Sequence, residues 1–230
     1  DFILFATTWG AFIAVNTYLP MWAQALLGMS ALMGGMTLIP NSIVEIIASQ
    51  TVATIQEKIR TFTLVMIGIV TMMISSGGLF LANNQTPLWM LIVVGAFSGI
   101  GVGFIFVGLQ VKVQIDAGMK DMATATSTSY LIRILAQTVM AAVYGVIMNL
   151  ALASGINSHS NITMKMMNEL SDAKSAKLLP QYLLPEMRRI FHSGIHEIMA
   201  VSFILLIIAT VFNFYFNFRQ PNKKLNRSSK

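Results

Sequence analysis

Long apolar stretches separated by short polar breaks dominate the chain, and they predict membrane-spanning helices. We expect six spans, at Phe2–Ala25, Ala31–Ile55, Phe62–Leu81, Leu88–Val111, Ala123–Leu152 and Ile198–Phe218. The charge-free run 61–111 is too long for one span, and the turn-forming residues 83–87 divide it into two. The pattern therefore predicts an all-α integral membrane protein.

Composition strengthens this prediction and narrows the chemistry. Of the 230 residues, 55% are hydrophobic and 10% are charged, against about 25% charged in soluble domains. The absence of Cys excludes disulfides and thiolate metal sites. We expect the lipid bilayer to be the main partner, with no nucleic acid bound. Because Asp1 directly precedes an apolar run, with neither Met nor a signal sequence, we expect the start to be a truncation.

The placement of cations predicts an orientation. Cytoplasmic loops carry an excess of Lys and Arg. Loops on one side of the six spans, together with the tail 219–230, hold nine cations, and the opposite side holds five, all within 153–197. We therefore expect residues 1–152 to contain the first five spans, 153–197 to form a long extracellular loop, 198–218 to form the last span and the basic tail 219–230 to be cytoplasmic. Within the loop, Ile162, Met166, Met167 and Leu170 recur at helical spacing, which is typical of an interfacial helix.

Glu45 is the first charged residue after Asp1, because residues 2–44 contain none. By helix rise it lies about 20 Å from Lys58 and thus near the middle of a hydrocarbon layer about 30 Å thick. A carboxylate at that depth is a candidate functional group. The structural alternative is that Glu45 stays protonated, or bonds to a neighbouring helix, and only holds the bundle together.

Arg133 is the second charge expected near mid-depth, about 18–20 Å from the cytoplasmic boundary. A central Arg costs about 2.5–3.5 kcal/mol on insertion scales, so an acid such as Glu45, a water-filled cavity or a bound anion must offset it. Gln137, one turn further, extends the polar stripe. The alternatives are a clamp on helix-end carbonyls and snorkelling to the interface.

Gly95, Gly99 and Gly103 repeat every four residues in the fourth span. Small residues at this spacing let helix backbones approach closely, which predicts helix packing. His192 and His196 also share a spacing of four, which suits metal ligands. Gly194 lies between them, however, and favours a solvated loop with no metal.

Several short motifs resemble one family. Its Tyr, Pro and Gln, followed by a Gly-x-Ser-Ala-Leu segment ending in Leu-x-Pro, are matched by Tyr18-Leu-Pro20, Gln24, Gly28-Met-Ser-Ala-Leu and Leu38-Ile-Pro40. The segment 95–108 is similar to its Gly-rich span, and Arg133-Ile-Leu-Ala-Gln to its Arg-Gln-Leu-Gly-Gly helix. The chain thus resembles the 14-helix drug/proton antiporters of the major facilitator superfamily, the EmrB/QacA type.

This resemblance covers nearly the whole chain and corresponds to the C-terminal six helices of the fourteen. It implies two three-helix repeats, half of a major facilitator fold, with a substrate site at mid-membrane against the missing N-terminal half. It implies proton-coupled efflux of amphipathic or cationic drugs across the plasma membrane, with no organic cofactor. On this basis Glu45, Arg133 and Gln137 are the candidates for substrate or proton coupling.

Three alternatives remain open at this point. The chain is either a multidrug exporter, an exporter of one dedicated metabolite or peptide, or a non-functional transporter fragment. An enzyme is not expected, because no Ser/His pair, paired Asp or complete metal set shares a common depth. The usual Gly-x-x-x-Asp-Arg-x-Gly loop of the family is reduced here to Ala53-Thr-Ile-Gln-Glu-Lys-Ile-Arg60.

Overall fold

The computed structural model describes residues 1–84, 86–157, 159, 161–171 and 173–218, and all regular structure within these ranges is helical. Its elements are α1 (Phe2–Ala25), α2 (Ala31–Met36), α3 (Leu38–Ile55), α4 (Thr61–Leu81), α5 (Leu88–Asn157), α6 (Met164–Leu170), α7 (Ala173–Ala176) and α8 (Leu184–Asn217). The predicted basic tail 219–230 lies outside the described residues.

Five helical segments in the described part are apolar and long enough to cross a membrane: Phe2–Ala25, Ala31–Ile55, Thr61–Leu81, Leu88–Asn157 and Leu184–Asn217. The chain is therefore an all-α, multi-pass membrane protein. Helices α2 and α3 make up one of these segments and meet at Thr37, whose hydroxyl donates to the carbonyl of Gly34 at 2.6 Å.

Helix α5 is a hairpin, which accounts for its 70 residues. At Gly118 the backbone turns with φ 72° and ψ 175°, a left-handed φ that favours glycine. The side chains of Gln110 and Ser129, 19 residues apart, are hydrogen-bonded at 3.1 Å; in a straight helix they would be about 28 Å apart. The chain thus reverses, and residues 88–117 and 119–157 form two arms, which we call the first arm and the second arm.

Two apolar clusters hold the bundle together. One surrounds Trp22, Tyr144 and Phe191, and the other surrounds Phe5, Ile69 and Leu206. Both clusters include residues of α1, α4, the first arm and α8, and residues of the second arm belong to the one and pack against the other. Helix α1 is therefore enclosed by its neighbours. Burial of this apolar surface inside the bundle gives the close-packed contacts that fix the helices relative to one another.

The last helix begins earlier in the chain than predicted. We expected a span at Ile198–Phe218 and a solvated loop around His192, but α8 begins at Leu184 and continues to Asn217. Gly194 does not break it, because its missing side chain lets the helix approach Met148 and Ala151 of the second arm. His192 and His196 are half-buried on this helix.

Helix α6 lies in the segment predicted to hold an interfacial helix. The side chain of Thr163 caps it by accepting from the backbone N–H of Met166 at 3.3 Å. Met167 and Leu170 are buried and join the cluster around Trp22. This helix therefore packs onto the bundle with its apolar side.

Candidate functional site

Two of the three glycines at four-residue spacing, Gly99 and Gly103, lie where the first arm meets α3. A methyl group added at Gly103 would lie 2.8 Å from the carbonyl oxygen of Glu45 and 3.0 Å from the backbone nitrogen of Ser49. One added at Gly99 would collide with the carbonyl oxygen of Asn41. The α3 backbone therefore lies directly against the first arm, at a distance that only glycine permits.

Glu45 is half-buried on α3, at the edge of this packed face. Its carbonyl oxygen faces Gly103, and the neighbouring residues of the same helix face, Asn41 and Ala48, are buried. Within the described part of the chain, the Glu45 carboxyl group takes part in no ion pair. It is therefore a carboxyl group at the edge of an apolar contact, without a partner cation among those residues.

Arg133 is buried on the second arm, with 8% of its surface exposed. Four aromatic rings surround its guanidinium: the ring centroids of Phe106, Trp9, Tyr130 and Phe5 lie 4.6, 5.0, 5.2 and 5.4 Å from Cζ. A cation at such distances is attracted to ring faces, by about 2 kcal/mol where water is excluded. The rings thus offset part of the cost of placing Arg in the membrane.

Polar side chains line the contact between the two arms, on the side of Arg133 toward Gly118. Gln114 donates to the hydroxyl of Thr126 at 3.1 Å, and the hydroxyl of Ser129 donates to Oε1 of Gln110 at 3.1 Å. Nε2 of Gln110 and Nε of Arg133 are both buried without a hydrogen-bond acceptor. Gln110 is not among the site residues that the sequence predicts. Its spacing of four residues from Phe106 and from Gln114 could have indicated that the three share one helix face.

Glu45 and Arg133 lie beside the same stretch of the first arm without being paired. Glu45 borders Gly103, and Arg133 borders Phe106, three residues further along and therefore on a neighbouring part of the same helix surface. No ion pair joins the two side chains among the described residues. Gln137, one turn beyond Arg133, is half-buried.

A second buried polar cluster connects α1, α4, α8 and the second arm. Tyr144 donates its hydroxyl hydrogen to the carbonyl of Gly10 at 2.9 Å. The hydroxyl of Ser202 donates to the carbonyl of Ala11 at 3.1 Å and lies 3.1 Å from that of Ser76. These bonds tie the α1 backbone to its neighbours at the middle of the helix, which indicates a structural role.

The two histidines of α8 contact a backbone carbonyl and an aromatic ring. Nε2 of His192 lies 2.9 Å from the carbonyl oxygen of Ala82, and the His196 ring stacks on Phe80 at 3.9 Å. Among the described residues, no three His, Asp or Glu side chains are grouped so that they could hold a metal ion.

Comparison with known proteins points to transport. The chain is 24% identical over 217 residues to Multidrug resistance protein 3 of Bacillus subtilis (strain 168), covering 88% of this chain and 42% of that protein. It is 33% identical over 119 residues to the MFS-type transporter ppz2 of Metarhizium majus (strain ARSEF 297), covering 51% of this chain and 20% of that protein. It is 24% identical over 204 residues to the aspyridones efflux protein of Neocamarosporium betae, covering 87% of this chain and 36% of that protein.

No family model matches the chain. The chain spans less than half the length of each of these relatives. Their names are those of a multidrug resistance protein, an MFS-type transporter and an efflux protein, and none is that of an enzyme. The chain is thus a helical membrane protein that is similar to part of transporters named for multidrug resistance, the MFS type and efflux.

Proposed function

We propose that this chain is the C-terminal, six-helix part of a proton-coupled exporter of the EmrB/QacA type, which removes amphipathic or cationic drugs. The observation that carries the proposal is the pair of charged residues, Glu45 and Arg133, beside one stretch of the first arm in an otherwise apolar bundle. Charges within membrane helices are expensive and mark substrate or proton pathways. The names of the relatives support the same reaction class.

In this proposal Glu45 takes up and releases the coupling proton. Its half-buried position, without a partner cation among the described residues, leaves the carboxyl group free to change protonation. Arg133 lines the substrate pathway and influences when the Glu45 proton leaves, while Gln137 offers a further polar contact one turn away. The six helices form two three-helix repeats that rock against the other half of the transporter.

This test, like the other efflux measurements, uses the complete transporter, in which residues 1–230 are joined to the other half, in vesicles that carry an imposed pH gradient. We expect efflux of the cationic dye ethidium to follow the gradient, and to stop when a protonophore collapses it. Efflux that continues unchanged without the gradient would contradict proton coupling. Vesicles that hold residues 1–230 alone should show no efflux, because alternating access needs a second helix bundle.

We also propose that the protein lies in the plasma membrane, with the Gly118 turn and the tail 219–230 in the cytoplasm and the segment 153–197 outside. The chain contains no Cys, so single cysteines are clean probes. Lys120 is exposed at the start of the second arm, and Gln181 is exposed in the segment before α8. An impermeant maleimide applied to intact cells should label Gln181→Cys and spare Lys120→Cys; the reverse result would invert the orientation.

A second candidate is an exporter of one dedicated metabolite or peptide. It is favoured by the similarity to a protein named for the efflux of aspyridones. The two candidates differ in range, because a multidrug exporter should move several unrelated cationic dyes at similar rates. A transporter that moves none of them, yet protects cells against one compound, would support the dedicated exporter.

A further inference from the structure

The contact between the two arms of α5 contains buried donors that lack acceptors. Nε of Arg133 and Nε2 of Gln110 have no hydrogen-bond partner in the described structure. The two residues are neighbours: Ser129 lies one turn before Arg133 on the second arm, and its hydroxyl bonds to Oε1 of Gln110. Phe106, one turn before Gln110, places its ring 4.6 Å from Cζ of Arg133.

This pairing of donors is unusual for a buried site. A buried donor without an acceptor carries the full cost of its desolvation, and the cost is higher for a charged group. The four aromatic rings stabilise the positive charge of Arg133, but its Nε has no acceptor among the described residues. Oε1 of Gln110 faces the hydroxyl of Ser129, which shares its one hydrogen between this oxygen and the carbonyl oxygen of Thr126 at 2.8 Å, whereas Nε2 of Gln110 has no acceptor among the described residues.

The chemistry that satisfies two such donors at once is an oxyanion. A carboxylate offers two acceptor oxygens and binds the planar guanidinium with charge-assisted hydrogen bonds. The surrounding rings of Trp9, Phe106 and Tyr130 suit an apolar body next to that carboxylate.

We propose that Arg133 and Gln110 form an oxyanion-binding site between the two arms, which takes the acidic group of an amphipathic ligand. The site thus selects ligands with an acidic group, in addition to the cationic drugs of the proposed function. This inference rests on the proposed function only for the transport of the ligand. Binding of the ligand does not depend on transport. The same chemistry is offered by the phosphate of an anionic lipid, and the experiment below separates the two sources.

The binding test uses the protein in phosphatidylcholine nanodiscs, with three probes of one shape: 4-butylbenzoate, 4-butylbenzamide and 4-butylbenzylamine. Calorimetric titration should give saturable binding of the benzoate, about tenfold or more tighter than of the neutral amide, as expected for charge-assisted hydrogen bonds. Arg133→Gln should abolish this preference. Arg189→Gln, which changes an exposed Arg on α8 whose side chain is 77% accessible, should keep it.

Gln110→Leu keeps the charge of Arg133 and provides the second variant if Arg133→Gln fails to fold. It should weaken the benzoate by about three- to tenfold and leave the amide unchanged, because it removes one hydrogen-bond donor. Equal affinities of the benzoate and the amide for the unaltered protein, or an undiminished preference in both variants, would overturn the proposal.

The lipid arm replaces part of the phosphatidylcholine with phosphatidylglycerol. If a lipid phosphate occupies the site, phosphatidylglycerol should raise the melting temperature of the unaltered protein but not of Gln110→Leu, and should displace the benzoate. If the occupant is a free acidic ligand, the benzoate should bind equally well in both lipids. Benzoate binding by a complete transporter that shows no efflux would refute the proposed transport function and leave the site in place.

Discussion

The first arm of α5 uses one face in two different ways along its length. From Gly95 to Gly103 this face carries no side chains, and at Gly99 and Gly103 it receives the backbone of α3 directly. From Phe106 to Gln114 the same face carries an aromatic ring and two amides, which meet Arg133, Ser129 and Thr126 of the second arm. The first region is a dry contact of small residues, and the second holds buried polar groups.

The difference shows how a membrane helix bundle separates stability from chemistry. The glycine region gains close backbone packing, which replaces the hydrophobic driving force that is absent between helices in lipid. The amide and guanidinium region leaves donors unsatisfied, an arrangement that weakens a fold unless a ligand completes it. Glu45 lies at the border between the two regions, with its carbonyl against the last glycine.

The largest expected effect is on the glycine region. Gly99→Leu places a side chain where the carbonyl of Asn41 already lies, and backbone cannot move aside as a side chain can. We expect a loss of more than about 3 kcal/mol of stability, enough to remove folded protein from the membrane. Fluorescence-detected size-exclusion chromatography of tagged protein measures this loss.

Gly145→Leu is the matched control, because a methyl group at Gly145 of the second arm would meet no atom within 4 Å. It should yield folded protein at a level close to that of the unaltered chain. Equal yields of the two variants would show that α3 does not depend on the glycine region.

The next effect concerns the polar region. Arg133→Leu removes the charge between the four rings while keeping an apolar side chain of moderate size there. Because Nε of Arg133 is buried without an acceptor among the described residues, we expect the variant to fold at least as well and to lose at least about tenfold in efflux rate. Efflux per folded molecule, measured in vesicles, tests this directly.

A result with unchanged efflux and lower thermal stability would make Arg133 a structural residue held by its aromatic rings. Phe106→Leu separates the two roles further: it keeps the charge and removes the nearest ring. It should reduce thermal stability more than it reduces efflux per folded molecule.

Sequence patterns predict the apolar helices well, because a long run without charge has few alternatives in lipid. They also identify Glu45 and Arg133, since charges inside such runs are rare. The patterns do not predict the partners of these residues. The rings around Arg133 come from α1, the first arm and the second arm, at positions 5, 9, 106 and 130, and only the fold brings them together.

The start of α8 could not be predicted for a similar reason. Gly194 lowers helix propensity locally, but its contact with Met148 and Ala151 across the helix interface favours the helix. Gln110 was missed because an uncharged amide in a span carries little weight in a hydropathy pattern. Its importance follows from the unsatisfied nitrogen, which is a property of the three-dimensional arrangement.

A substitution that removes one protonation site tests the role of Glu45, which lies at the border between the two regions. Glu45→Gln keeps the size of the side chain and removes its ability to bind and release a proton. We expect pH-gradient-driven efflux of ethidium to be abolished, while the amount of protein in the membrane stays close to normal because the change conserves the volume of the side chain. Vesicles with an imposed gradient and quantified protein provide the measurement.

Glu57→Gln is the matched control for Glu45→Gln, because Glu57 is an exposed carboxylate after α3. It should transport normally. Normal efflux by Glu45→Gln at normal abundance would remove Glu45 from the mechanism and leave Arg133 as the remaining charged candidate; reduced abundance with normal efflux per molecule would assign Glu45 a structural role.

The smallest effect is expected at the far end of the glycine region. A methyl group at Gly95 would lie 2.9 Å from Cδ2 of Leu19, the end of a flexible side chain, and 4.0 Å from the nearest atom of the α2–α3 segment, the carbonyl oxygen of Thr37. Gly95→Ala should therefore change the free energy of unfolding by less than about 1 kcal/mol, since a small shift of Leu19 is offset by the lower flexibility of alanine in the unfolded chain. Gly99→Ala and Gly103→Ala, which meet backbone atoms instead, should lower the melting temperature clearly more. A melting series of the three alanine variants in one detergent measures this order, and a Gly95→Ala variant as unstable as Gly99→Ala would show that the close contact between the first arm and α3 extends along the whole glycine region.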